Sequence, residues 1–349
     1  MQIYALFLRY LFAAMQTLPV NVNIDSIFSI QSENDFDRAA FDIFRYQYEQ
    51  NLVYHNYVNA LGVKPDSVKT ISNIPFLPIS FFKSHEIICE DRAKYDKVFL
   101  SSTTTSGKPS RHFVKNINIY EESFRKAFAY FYGDIKEYCV LALLPSYLER
   151  DGSSLVYMAE DMIKQSGHPQ SGFYIHDYDK LITTLKELEN KKQKIVLLGV
   201  TYALLKLAEE YAMPLKHTII METGGMKGQR KELPKQEVHE ILKKAFQVND
   251  IHSEYGMTEL LSQGYSKGRG VFNCPAWMKI GVRDLYDPMN VNMQEGKGAV
   301  NIIDLANINS CSFIATDDMG LLHKDGGFEI SGRIDYSDIR GCNLMAEEL

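Results

Sequence analysis

From Tyr138 to His252 the chain alternates short apolar runs with longer amphipathic stretches, and this alternation constrains the fold more than any other feature. The runs YCVLALL, KIVLLGV, HTIIME and VNDIH read as strands. Between them, Ser153–Gln165, Tyr178–Lys191, Tyr202–Tyr211 and Lys235–Phe246 carry apolar residues at helical spacing. Strand and helix in turn imply βαβ units and a mainly parallel sheet, with ligand sites beyond the carboxyl ends of its strands. The loops after those strands are where chemistry is expected.

After Gly270 the texture changes. Short strand-like pieces, GAVNIIDL and SCSFIAT, precede a hairpin, LLHKDGGFEISGR, turned on Asp325-Gly326-Gly327. A β-rich subdomain packed on an α/β core is expected from about residue 270. Upstream, residues 35–61 place Phe36, Ala40, Phe44, Tyr48, Leu52 and Val58 at mostly helical spacing, and Gly62 with Pro65 stops a helix there. In IPFLPISFFKSHEI, residues 74–87, two prolines forbid a regular helix and the apolar density forbids a solvated loop, so a buried extended segment is expected. No Pro/Gly/Ser linker or internal repeat is visible, and the chain reads as one compact unit.

Composition excludes several classes. With 349 residues, 45% apolar and 23% charged, disordered, collagen-like and coiled-coil readings fall away. The balance of 38 basic to 44 acidic residues, with no long run of either sign, argues against a counterion-release grip on nucleic acid and for a small-molecule or protein partner. Cys89, Cys139, Cys274, Cys311 and Cys342 are scattered and never paired as Cys-x-x-Cys, which fits a reducing compartment. The apolar stretch Met1–Val20 is interrupted by Arg9 and has no basic run before it, unlike a secretory signal. A cover helix, or an extension from an upstream start codon, is the plainer reading. Membrane association is not expected, and the chain is read as cytoplasmic.

Three polar segments carry possible chemistry. In Leu100–His112, six consecutive Ser/Thr residues (Ser101 to Ser106) precede Gly107 and Lys108, and hydroxyls with exposed backbone N–H groups make a phosphate-binding loop. It is not a Walker loop, because Ser102 stands where that motif needs glycine and Pro109 with strand-like RHFV follows instead of a helix. A solvated linker is the plainer alternative. The second segment, His252–Glu259, sets an aromatic, a glycine, a hydroxyl and a carboxylate on one strand exit, suited to stacking a base and holding a metal or phosphate; a turn with a helix cap at Thr258 explains it equally well. The third runs from Ala315-Thr-Asp-Asp-Met-Gly320 through Asp325-Gly-Gly to Gly332-Arg-Ile-Asp335. Aspartates after a strand can bind ribose hydroxyls or a cation, and Arg333 can neutralise phosphate.

In this order the segments resemble the signature series of the acyl-adenylate-forming (ANL) superfamily, which includes acyl-CoA ligases and peptide-synthetase adenylation domains. IPFLPISFFKSHEI, SSTTTSGKPSRH and the terminal RGCNLMAEEL resemble, within it, the acyl-protein synthetases of bacterial luminescence (LuxE type), from about residue 35 to the end. The resemblance implies an α/β fold: the large N-terminal body of that superfamily, with a mainly parallel sheet and a β-rich subdomain, and without the mobile C-terminal domain. Residues 1–34 would be an extension, 35–335 the adenylating body and 336–349 a segment carrying Cys342.

By the same resemblance Ser102, Thr103, Thr104, Thr105, Ser106, Gly107 and Lys108 would close over the phosphates of ATP, although Thr104 stands where relatives usually have glycine. Gly224 and Gly225 would admit backbone to the adenine edge, Tyr255 would stack on adenine beside Gly256, and Thr258 would contact the forming acyl phosphate. Glu259 would hold Mg²⁺. Asp318 would bind the ribose hydroxyls, with Asp317 a second candidate, and Arg333 would contact ribose or phosphate. CoA ligases bring a lysine on a domain that follows Gly-Arg-x-Asp, whereas this sequence runs only 14 residues past Asp335. The resemblance therefore implies Cys342 as the acyl acceptor, a thiol being partly ionised and strongly nucleophilic near neutral pH. The other cysteines read as core residues. His112 and His252 neighbour the motifs, and hydrogen-bonded structure is the plainer role for each. The implied activity is ATP- and Mg²⁺-dependent activation of a carboxylic acid, of the fatty-acid class in this family, to acyl-AMP. The acyl group would then pass to the cysteine and on to a partner reductase or transferase. The alternatives are an acyl- or aryl-CoA ligase and a non-catalytic acyl- or partner-binding relative.

Overall fold

A computed structural model describes residues 24–102, 108–144, 152–174, 176–224 and 233–334. Strands β1 (Leu77–Pro78), β2 (Lys97–Leu100) and β3 (Arg111–Val114) precede the alternating region. That region forms β4 (Tyr138–Leu143), β5 (Gly172–Phe173), β6 (Lys194–Val200), β7 (Thr218–Thr223), β8 (His252–Tyr255) and β9 (Gly264–Ser266). The last third adds β10 (Met278–Arg283), β11 (Val291–Asn292), β12 (Gly296–Asp304), β13 (Phe313–Leu322) and β14 (Phe328–Arg333).

The central sheet has the order β5-β4-β6-β7-β8-β9 and is parallel except for β9. Every residue of β4 is buried, as expected for a strand covered on both faces. Each of the four intervening helices falls where the amphipathic spacing predicts: Ser154–Ser166, Tyr178–Asn190, Thr201–Glu210 and Lys235–Phe246. In the last of these Val238, Leu242 and Phe246 form the buried stripe. A second sheet, β1-β13-β12-β10-β11 with β14 beside β13, is antiparallel except for β1. Leu77–Pro78 thus joins the β-rich part from far upstream. Residues 74–77 are buried and extended as expected, whereas Phe81–Ser84 makes a helical turn and Ser80, Lys83, Ser84 and His85 are exposed, so the later half of the segment departs from the expectation.

Three further expectations need correction. The single helix over 35–61 is two helices, Glu33–Gln50 and Leu52–Ala60. The break is at Asn51, whose side chain accepts from the Tyr54 N–H at 3.0 Å and donates to the Ser310 carbonyl at 2.9 Å. Its neighbour Gln47 donates to the carbonyls of Asn307 and Ile308, both at 3.0 Å, so tertiary bonds outweigh continuous helical spacing. The strand expected at VNDIH begins only at His252. Gln247 ends the preceding helix in the left-handed conformation (φ +52°), and the next residues are used in returning to the sheet. Finally, the strand expected at SCSFIAT starts at Phe313 and continues to Leu322. Asp317 and Asp318 therefore lie inside β13 and not on a turn after it. Phe328 of β14 satisfies Phe272 through two backbone hydrogen bonds, which pins the hairpin to the central body.

Candidate active site

The carboxyl ends of β7 and β8 open toward the β13–β14 hairpin. Thr223 ends β7, and Gly224 follows at φ +71°, a left-handed conformation that glycine adopts without strain. Its carbonyl accepts from the Thr201 hydroxyl at 3.1 Å. Tyr255 ends β8 and Gly256 leads into a turn in which the Leu260 N–H donates to the Met257 carbonyl at 3.0 Å. A Cβ at Gly256 would collide with a Glu254 carboxylate oxygen, so glycine is required there by space. Thr258 lies on this turn and no helix follows it, which removes the helix-cap explanation.

Tyr255, Asp318 and Arg333, far apart in sequence, meet here. The Tyr255 hydroxyl donates to Asp318 Oδ2 at 2.8 Å, and Arg333 Nε donates to Asp318 Oδ1 at 3.3 Å. The β13–β14 register sets Asp318 directly opposite Arg333. The Tyr255 ring is half-buried between Phe272 and Phe328, with centroids 5.7 and 5.4 Å away. Burial raises the phenol well above its ordinary value, and the Asp318 charge adds to this. The Arg333 side chain is 82% exposed, so its ion pair contributes at most about 1 kcal/mol by itself. It leaves a guanidinium at the rim. The Asp317 backbone carbonyl accepts from the Ile334 N–H at 2.8 Å.

The turn carrying Thr258 and Glu259 is held from three sides. His112 Nδ1 meets the Thr258 carbonyl at 2.8 Å, and Asn307 Nδ2 donates to the Glu259 carbonyl at 2.7 Å. Asp304 accepts the N–H groups of Leu261 and Ser262 at 2.8 and 2.9 Å and the Ser262 hydroxyl at 2.6 Å. The Glu259 carboxyl is 5% exposed. Burial raises its pKa, and this is opposed by a hydrogen bond from Ser110 and by the charges of Lys83 and Arg333. Ser110 closes the neck of the Ser/Thr loop: its N–H donates to Ser101 Oγ at 2.8 Å and its carbonyl accepts from the Ser101 N–H at 3.1 Å. Ser102 and Lys108 flank the loop and are exposed.

A model of the acyl-protein synthetases, LuxE, matches residues 26–349. The chain belongs to the LuxE acyl-protein synthetase family. No curated protein matches the chain. Among solved structures it is similar to ATP-bound MatB from Rhodopseudomonas palustris, at 14% identity and TM-score 0.52, covering 70% of this chain and 49% of that one. It is also similar to 2-hydroxyisobutyryl-CoA ligase in complex with 2-HIB-AMP and CoA, at 12% identity and TM-score 0.62, covering 87% and 70%. This LuxE-family chain thus has the α/β fold of the body of adenylate-forming enzymes and spans about half the length of MatB. Family and fold together support acyl-adenylate-forming activity.

Of the residues expected at a LuxE-type site, the structure brings together Tyr255, Asp318 and Arg333, and it sets Thr258 and Glu259 on one turn after Gly256. Gly224 lies at the end of the neighbouring strand β7. Thr103, Thr104, Thr105, Ser106, Gly107, Gly225 and Cys342 lie outside the described residues. The other four cysteines fit the core reading. Cys89, Cys139 and Cys311 are buried, and burial raises the thiol at all four positions, to about 11 at Cys139 and about 12 at Cys311. His252 is turned to the Tyr132 hydroxyl at 3.2 Å, and burial lowers it to about 4. Sequence reasoning missed Ser110, Asp304 and Asn307. Their signal was present in DLANINS and SGKPSRH, where polar residues interrupt or directly precede strands that must be buried. The Glu259 carboxylate and Ser110 hydroxyl are hard oxygen donors, the kind of set that holds a magnesium ion whose other ligands are water and phosphate.

Proposed function

We propose that this protein activates a carboxylic acid, of the fatty-acid class, as acyl-AMP, captures the acyl group on Cys342, and passes it to a partner acyl reductase or transferase in the cytoplasm. The convergence of Tyr255, Asp318 and Arg333 beside the Thr258–Glu259 turn carries this reading. Half-buried Tyr255 offers a face for adenine, Asp318 two acceptor oxygens for the ribose hydroxyls, and exposed Arg333 a positive charge for phosphate. Glu259 and Ser110 would hold Mg²⁺. The ion, when bound, offsets charge that builds up as a carboxylate approaches phosphorus.

The substrate carboxylate oxygen bonds to the α-phosphorus while the bond to pyrophosphate breaks, giving acyl-AMP. Thr258 supplies a donor oriented in advance by its turn, and the Ser/Thr loop is the expected source of further donors to the phosphates, which is how a site lowers such a barrier. The Cys342 thiolate then bonds to the acyl carbon, AMP leaves, and the thiol proton goes to solvent. Cys342 lies nine residues past Arg333, a tether that reaches at most ~30 Å when extended, so the thiol is within range of the site. The remaining parts of the chain are assigned as an N-terminal extension over 1–34 and an adenylating body over 35–335.

Incubation with radiolabelled fatty acid, ATP and Mg²⁺, with and without CoA, tests the assignment. Hydroxylamine-sensitive label on the wild type, lost in Cys342→Ser while ATP–pyrophosphate exchange persists, is the expected result. Label found only in free CoA would make the protein a CoA ligase, and no exchange at all would make it a non-catalytic relative.

A further inference from the structure

His112 is fully buried on β3 and has both ring nitrogens engaged: Nδ1 lies 2.8 Å from the Thr258 carbonyl and Nε2 lies 3.0 Å from Ser310 Oγ. A carbonyl oxygen only accepts, so Nδ1 carries a proton toward Thr258, while Nε2 faces the Ser310 hydroxyl, which also lies 3.3 Å from the Asn307 carbonyl. The Phe82 ring meets the imidazole edge-on at 5.7 Å and fixes its plane. No free nitrogen remains for proton transfer, so a role as general base is excluded.

What the ring connects is informative. It lies two residues past Ser110, and in extended backbone such residues share a face. From that face His112 holds the Thr258 backbone, and Ser110 is among the groups that lower the Glu259 carboxyl's pKa. The hairpin that carries the Ser/Thr loop and the turn that carries Thr258 and Glu259 are therefore joined through His112. Phe82, next to Lys83, packs on the same ring.

We infer that His112 is a positioning residue that locks the β2–β3 hairpin to the Thr258–Glu259 turn, so that Ser110 on the hairpin and Thr258 and Glu259 on the turn act on one Mg·ATP in a fixed relation. This rests on the adenylating activity proposed above. The two sites of hydrogen bonding separate its consequences. Asparagine places an amide N–H near the Nδ1 position and keeps the bond to Thr258, whereas glutamine reaches toward the Nε2 position and Ser310.

The test compares wild type, His112→Asn and His112→Gln by urea unfolding, by calorimetric titration with Mg·ATP, and by ATP–pyrophosphate exchange with a fatty acid. Both variants are expected to unfold at similar urea concentrations. His112→Asn should stay within about threefold of wild type in Mg·ATP affinity and exchange. His112→Gln should lose roughly 10- to 100-fold, the effect of freeing one buried carbonyl that orients a charged site. Nitrogen-15 NMR of histidine-labelled wild type should show the proton on Nδ1 of His112. An Nε2–H tautomer, or equal Mg·ATP affinities in the two variants with wild-type binding intact, would overturn the inference. A wild type that binds no Mg·ATP while showing the Nδ1–H tautomer would instead sink the adenylating reading and the inference with it.

Discussion

Replacing Glu254 by glutamine should change the pH dependence of stability in one direction only. Glu254 is buried at the end of β8, its carboxylate accepts from the Thr223 hydroxyl, and it fills the space denied to a side chain at Gly256. Burial, with a further contribution from the Glu222 charge, raises it from 4.5 to about 7. Glu222 goes the other way: burial alone would raise it too, but His239, Lys235 and Thr201 together hold it below 4.5. Below pH 4.5 Glu254 is protonated in folded and unfolded chains alike and contributes no pH dependence. As pH rises from 4.5 to about 7 the unfolded chain ionises first, so stability falls, and above about 7 the full penalty stands. At ~1.4 kcal/mol per pH unit that penalty is on the order of 3 kcal/mol. Glutamine keeps the acceptor for Thr223 and has no ionised form. Urea-unfolding free energies of wild type and Glu254→Gln, measured from pH 4.5 to 8.5, should diverge in favour of the variant as pH rises. The contributions of His112, His252 and Asp304 cancel in the difference. A difference that is flat across this range would refute the reasoning.

Further outcomes follow from the same geometry. Glu259→Gln should lower ATP–pyrophosphate exchange by about 100-fold and raise the Mg²⁺ concentration needed for half-maximal rate, the size of effect seen on removing one positioned electrostatic group. Asp318→Asn removes the charge that receives both Tyr255 and Arg333 and should raise the KM for ATP by roughly 10-fold or more, at about 1.5–3 kcal/mol for hydrogen bonds to a charged acceptor; an unchanged KM would exclude Asp318 from ribose binding. Leu198→Ala, at a fully buried position in β6, should cost ~2–5 kcal/mol of stability through cavity formation, read from the urea midpoint.

The layers of the fold were legible because period decides burial: the four helices between β4 and β8 sit within a residue or two of where apolar spacing puts them. Tertiary bonding was not legible. Nothing local in YEQNLVYH announces a break at Asn51, because its cause is a carbonyl at Ser310. The strand at 252–255 was displaced for a similar reason, since VNDI has the composition of a strand but must first recover from the left-handed Gln247. At the site, Tyr255, Glu259, Asp318 and Arg333 could be selected from their order along the chain, yet their meeting depends on the register between β13 and β14. Asp304 and Asn307 were the least visible. Their backbone acceptors and donors at 259–262 carry no side-chain signature.

The bonds from Gln47 and Asn51 to the loop at 307–312 have a consequence for how the chain is made. They join residues about 260 positions apart, and contacts of such separation form late, after the loop-closure entropy of the intervening chain has been overcome. During synthesis the helices Glu33–Gln50 and Leu52–Ala60 therefore wait, with an amide pair that the finished protein buries still facing water, until residues 307–312 have emerged. The turn holding Glu259 is held by that same late loop. Competence to bind nucleotide should accordingly arise in one step once residues 307–312 are available, and nascent chains stopped before residue 312 should be inactive and prone to associate through their unfinished helices.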